Sequence, residues 1–363
     1  MERILATYRI AASETESRVR AEALAAEQSV EMPVSAIDDP RVLSEIVASV
    51  ASIRPHADEF EVVLGLAPAT TGNEASQLLN MLFGNCSLQP EVSLVDVAFP
   101  RGYEKSFPGP RFGIEGIRAL TGVNGRALTC TALKPQGSTV AHLTNIARQF
   151  ALAGIDVIKD DHGLANQAFS PFAERVPAVQ RAIDEANRET GGRTAYAPTF
   201  SGGAAALREQ ARVARDHGVR MALVAPMLVG VPSFIELRAE LGVPILAHPA
   251  FGGASRIAPP LLLGKLFRLF GADATIFPNH GGRFSYSRAT CLEIAAAARE
   301  PWEELKPALP VPAGGMTVER VPEMLSGYGP DTMLLIGGGL LSAGDRLLEK
   351  SREFVGKVAE PIA

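Results

Sequence analysis

Between residues 128 and 336 short apolar runs recur with helix-like segments between them, and this alternation constrains the fold more than any other feature. The runs fall at 128–133, 155–158, 194–197, 221–225, 243–247, 274–277, 308–312 and 332–336. Each is too short for a buried helix and suits a buried strand. Eight strand–helix units in roughly 250 residues is the arithmetic of a (β/α)8 barrel. An open doubly wound sheet is the alternative, but it would carry a glycine-rich fingerprint after its first strand. Here the glycine clusters follow the last two runs, Gly314-Gly315 and Gly337-Gly338-Gly339, which favours the barrel.

The first hundred residues have a different rhythm. Strands are expected at 3–10, 61–67 and 92–99, and helices at 13–27 and 74–83, which suggests a small α+β sandwich. The Pro-, Gly- and charge-rich stretch from Pro100 to Gly113 reads as a linker. The expected organisation is therefore an α/β chain of two domains: an N-terminal α+β domain over 1–110 and a (β/α)8 barrel over 111–363.

Composition narrows the function classes. Hydrophobic residues make up 47% and charged residues 21% of the 363, a globular balance. The net charge of -5 gives no basic excess for nucleic acid. Cys86, Cys130 and Cys291 lack paired spacing, so neither a disulfide framework nor a structural zinc site is expected. With no signal-peptide pattern and no apolar run of about 18 residues, a soluble cytoplasmic protein without a membrane partner is expected.

Barrel enzymes place their chemistry at the C-terminal ends of the strands. Those ends carry Lys134, the run Lys159-Asp160-Asp161-His162, His248, Asn279-His280-Gly281-Gly282-Arg283, and the two glycine clusters. Glycine lets backbone N–H groups approach a phosphate, so Gly314, Gly315, Gly337 and Gly338 are candidate phosphate ligands, with His280 and Arg283 beside substrate. A lysine desolvated at a strand end loses part of its preference for the charged form and can serve as a base. Lys134 and Lys159 are therefore candidates for proton abstraction next to a carbonyl. That reaction also needs an electrophile for the enolate oxygen, and a divalent cation would serve. Asp161 is a suitable hard ligand for it; His162 is less so, because magnesium prefers oxygen.

Taken together these residues resemble the large subunit of ribulose-bisphosphate carboxylase. Ala153 to His162 is similar to the family's activation segment, in which the lysine becomes a carbamate and binds magnesium with an aspartate and a glutamate. Lys159 and Asp161 match the first two ligands, and His162 stands in the glutamate's place. Cys130 to Pro135 is similar to the strand whose lysine, here Lys134, works in proton transfer. Phe83-Gly84-Asn85 resembles the segment that lends an asparagine to the neighbouring subunit's site, and Glu27 matches a glutamate lent the same way. His248 matches a substrate-side histidine.

The departures matter as much. Pro249 replaces an arginine, Asn279 follows where a histidine is expected, and Ala313 replaces a serine. Little is left to neutralise a second phosphate. The resemblance thus implies a RuBisCO-like protein of the form IV group, not a carboxylase. It implies a homodimer or larger assembly with sites shared between subunits, a substrate with one phosphate, a magnesium site weakened by His162, and a carbamate on Lys159. The implied chemistry is metal-assisted enolisation leading to isomerisation or decarboxylation, for example of a 3-oxo sugar-acid phosphate. The alternatives are a diketo-methylthiopentane phosphate enolase or a methylthioribulose phosphate isomerase. The enolase ranks lower because Asn85 stands where it has its base lysine. A non-catalytic binding or regulatory homologue is the alternative of another class.

Overall fold

The computed structural model describes residues 2–360, which divide into two compact units. The first comprises the chain up to Pro108 together with Gly252–Leu262. It holds four strands, β1 (Ile4–Ile10), β2 (Ser49–His56), β3 (Glu59–Leu66) and β4 (Val92–Ala98), in the antiparallel order β2-β3-β1-β4. Ile4, Ala6, Tyr8 and Ile10 alternate into the core, as a half-buried strand requires. The Tyr8 hydroxyl donates to the Leu82 carbonyl at 2.7 Å, tying this face to the helix Ala75–Phe83. Segment 252–262 joins this unit through Arg256, whose guanidinium donates to the carbonyls of Val92, Ser87 and Gln89 at 2.9, 2.6 and 2.7 Å.

The second unit, Gly109–Phe251 with the chain from Leu263 onward, is the barrel. Its strands are β5 (Leu128–Leu133), β6 (Val157–Asp160), β7 (Ala195–Ala197) continued by β8 (Thr199–Phe200), β9 (Ala222–Val224), β10 (Ile245–Ala247), β11 (Ala274–Pro278), β12 (Leu309–Ala313) and β13 (Met333–Leu335). All ladders between them are parallel. Counting β7 and β8 as one strand bent at Pro198, there are eight.

The hydrogen-bonded belt is interrupted at two places, and prolines account for both. Pro198 has no N–H to give, so the ladder passes from β7 to β8 there. On β12, Leu309 donates toward the β11 side, to the Asp273 carbonyl at 2.9 Å. Alternation then turns residues 310 and 312 toward β13, and both are proline. The β12–β13 seam is held instead by side chains, among them Thr332, whose hydroxyl donates to the Pro310 carbonyl at 3.0 Å.

The barrel interior is a single apolar cluster that includes Cys130 of β5, Val157 of β6, Leu246 of β10, Val311 of β12 and Leu335 of β13. Strand alternation carries those inward positions upward in steps of two. The next inward positions are Lys134, Lys159 with Asp161, His248, Gly315 and Gly337. The second strand begins later than its apolar run suggests. It spans Val157–Asp160, so Lys159 lies within it, 4% exposed, and not at its tip. No described helix is long and apolar enough to cross a membrane.

The floor of the barrel rests on Asp273, fully buried just before β11. Its Oδ1 accepts from the N–H groups of Phe112 and Gly113 at 2.6 and 2.8 Å, and its Oδ2 from Ile245 N–H at 3.0 Å. Asp273→Asn sets an amide N–H against the Ile245 N–H. We expect it to destabilise the fold by about 1–3 kcal/mol in chemical denaturation, the cost of a buried donor left unmatched.

Candidate active site

Three strand ends converge on one carboxylate. The Lys134 ammonium donates to Asp161 Oδ2, and His162 Nδ1 lies 2.8 Å from Asp161 Oδ1, which also takes the Gly163 N–H at 3.3 Å. The Asp161 carbonyl accepts from the Thr199 hydroxyl at 3.0 Å, so the third strand holds the same turn. Burial opposes ionisation of Asp161. Hydrogen bonds from His162 and Lys134, with the Lys159 charge nearby, more than offset it and hold the carboxyl well below its ordinary range.

Lys159 is the buried member of the group. Its Nζ donates to the Asp160 carbonyl at 2.9 Å. Burial pushes the amine below its ordinary value, against the opposing pull of Cys130 and Asp161. The His248 ring stacks on His162 with centroids 4.3 Å apart and planes 12° apart. Burial, with Lys159 and His162 beside it, pushes His248 well below the ordinary imidazole value. Its Nδ1 accepts the Ala250 N–H at 3.1 Å, which assigns the proton of the neutral ring to Nε2.

Behind the site stands a group that the sequence pattern did not single out. Asp160 faces away from the interior and is fully buried. Its carboxylate accepts from Arg175 Nε at 3.2 Å, the Tyr196 hydroxyl at 2.7 Å and the Thr199 N–H at 3.1 Å. Arg175 also donates to the carbonyls of Ser170 and Ala165 at 2.5 and 2.9 Å. A strand-parity reading finds the outward direction of Asp160, but its partners are too distant in sequence to be read.

The three glycine-rich loops lock together through backbone. A Cβ on Gly282 would sit 1.9 Å from the Gly314 carbonyl oxygen, and one on Gly339 would sit 2.8 Å from that of Met316. Gly337 lies against Lys134, with its missing Cβ 3.7 Å from the lysine Cε. The glycine clusters and the lysine group are thus neighbours.

Other candidates lie apart. His280 is engaged on its own loop, with Nδ1 3.1 Å from Asn279 Oδ1 and Nε2 2.8 Å from Glu323. Arg283 lies over the Phe284 ring at 5.7 Å. In the first unit, Asn85 donates to Glu27 and Glu31 at 3.0 and 2.8 Å.

The donor set tests the expected magnesium site. Asp161 and His162 stand together, but among the described residues no group of three His, Cys, Asp or Glu side chains could hold a metal ion. A divalent cation fits these residues only if Lys159 supplies the third ligand as a carbamate, which forms from a neutral amine such as burial favours here.

The site therefore combines two barrel-mouth lysines, a shared carboxylate and a glycine-lined floor. A profile of the ribulose bisphosphate carboxylase large chain, catalytic domain, matches residues 113–243. The chain is 54% identical over 361 residues to the 5-methylthioribulose-1-phosphate isomerase of Rhodospirillum rubrum, covering 99% of this chain and 96% of that one. It is 38% identical over 286 residues to a 2,3-diketo-5-methylthiopentyl-1-phosphate enolase of Geobacillus kaustophilus, covering 76% and 69%. The crystal structure of a Rubisco-like protein from Rhodopseudomonas palustris superposes with a TM-score of 0.93 at 53% identity, covering 99% and 98%. The chain belongs to the ribulose-bisphosphate carboxylase large-chain family and, within it, to the RuBisCO-like proteins.

The loop after β11 gives a pH test. Hydrogen bonds from Arg320 and His280 hold the Glu323 carboxyl down at about 2. Unfolded, it titrates near about 4.3. Stability from this tie is present above the unfolded value and is lost as pH falls toward the folded one. Glu323→Gln should flatten that acid limb in melting curves and leave stability at neutral pH nearly unchanged.

Proposed function

We propose that this chain is an isomerase of a phosphorylated ketose that works through an enediolate, and that its substrate is 5-methylthioribulose 1-phosphate. The observation that carries the reading is the hydrogen-bonded line from Lys134 through Asp161 to His162, beside a buried Lys159. Such a group suits proton transfer next to a carbonyl better than it suits a passive binding surface. The isomerase is preferred to a sugar-acid decarboxylase because the relative at 54% identity bears the isomerase name. It is preferred to the diketo enolase because that relative shares 38% over a shorter stretch.

In this reading the phosphate rests on Gly314, Gly315, Gly337 and Gly338. Lys134, as the free amine, takes a proton from the carbon beside the carbonyl, and the electron pair moves into the enediolate. Return of that proton to a different carbon completes the isomerisation with no atom gained or lost. Asp161 fixes the position of the Lys134 amine. His248, neutral with its proton on Nε2, is a donor for a substrate oxygen. Lys159 as a carbamate, Asp161 and His162 would hold a magnesium ion, whose charge would stabilise the enediolate. Glu27 and Asn85 serve the barrel mouth of a second copy, so assembly is at least dimeric.

Turnover of 5-methylthioribulose 1-phosphate in heavy water, with deuterium entering the product, tests the reading; an inert enzyme would sink it. Fixation of labelled carbon dioxide onto ribulose bisphosphate should be absent. Lys134→Met should lower kcat by roughly 10²-fold or more, as loss of a general base does. It should leave the affinity for phosphate ligands within about tenfold, because the lysine acts in the transition state and the glycine backbone holds the ground state. His162→Glu should tighten magnesium binding in calorimetry, since a hard cation prefers anionic oxygen to imidazole nitrogen.

A further inference from the structure

Large apolar side chains stand exposed on the loops after three consecutive barrel strands: Leu228 after β9, Phe251 after β10 and Phe284 after β11. Phe251 is 65% exposed and Phe284 52%, where rings of this size are ordinarily covered. Both lie at the end of the barrel that carries the lysines, and Phe251 is three residues beyond His248.

Neither ring is placed casually. Phe251 holds a left-handed backbone, φ 67°, which a non-glycine residue adopts only at some cost. The Phe284 ring lies on Gly314. A Cβ there would stand 3.1 Å from two ring carbons, so only glycine leaves the ring this seat. The Arg283 guanidinium lies over the same ring at 5.7 Å. An exposed ring fixed in this way is a surface prepared in advance of a ligand.

The order of strands round the barrel sets the direction. Gly337 and Gly338 follow the eighth strand, and Phe251 follows the fifth, three places away round the ring of eight. A sugar phosphate anchored at the first has its far end near the second, with Phe284 on the loop between. We propose that Phe251 and Phe284 form the apolar wall that receives the thioether tail of the substrate. The wall selects a ketose phosphate ending in a methylthio group over one ending in a hydroxyl. Sulfur against an aromatic ring is a favourable contact, and a hydroxyl placed there would find no partner on either ring. This inference rests on the isomerase reading and names the residues that set its specificity.

The test compares kcat/KM for 5-methylthioribulose 1-phosphate with that for ribulose 1-phosphate, which bears a hydroxyl in place of the methylthio group. Phe251→Asn removes one ring with a residue that tolerates the left-handed backbone, and Phe284→Ala removes the other. The ratio of the two kcat/KM values should fall about tenfold or more in the double variant, the range expected when an apolar pocket loses its fit. Phe284→Leu, still apolar, should keep most of the preference. An active wild type whose preference survives both substitutions would overturn the assignment alone. A wild type inert toward the methylthio substrate would overturn the isomerase reading and the wall with it. Variants that dissociate in sedimentation with their preference intact would give the rings to a second copy of the chain and also overturn it.

Discussion

Asp160 is fully buried, and a carboxylate so placed is tolerable only because every group aimed at it donates. Arg175, Tyr196 and the Thr199 N–H come from a helix and from the neighbouring strand, so one side chain fixes three elements at once. Removing one partner of such a buried pair leaves a stranded charge, at a cost of about 3–5 kcal/mol. Its backbone carries the consequence to the site. The Asp160 carbonyl receives Lys159 Nζ, and the next carbonyl, that of Asp161, receives the Thr199 hydroxyl. The positions of Lys159 and Asp161 thus depend on an anchor outside the barrel interior.

Alternation along the strands does the rest. Inward positions are apolar at the bottom and chemical at the top, and the change falls at the same level on several strands. Cys130 leads by steps of two to Lys134, Val157 to Lys159 and Asp161, and Leu335 to Gly337. Proton-transfer groups are thereby gathered at one level without any sequence proximity. The interlocked glycines beside them make a floor of backbone, which moves little because Gly282 and Gly314 already touch.

Much of this was legible in the sequence. The eight apolar runs announced the barrel, because buried parallel strands need both faces apolar. Lys134, Lys159, Asp161 and His248 were legible as residues at strand ends, and the structure gathers them. The second strand was placed too early because Lys159 and Asp160 look polar, while their burial depends on partners the local sequence does not show. Strand β2 escaped notice because it is an edge strand, with Ser49, Arg54, Pro55 and His56 along a mostly exposed run. The engagement of His280 was not legible either, since Glu323 lies 43 residues away.

The proline-bearing β12 has a consequence for how the barrel can be taken apart. A closed parallel barrel ordinarily offers no preferred place to open, since each strand is stitched to both neighbours. Here Pro310 and Pro312 leave one seam without the usual main-chain stitching, and the last strand with its terminal helix, Leu347–Ala359, lies just beyond it. The ring therefore has a natural zip line. A circular permutant or a two-fragment version cut between Tyr328 and Met333 would sever fewer ladder bonds at that edge than a cut beside any unbroken strand pair. The polypeptide is, in topological terms, a closed cylinder with its clasp next to the glycine floor.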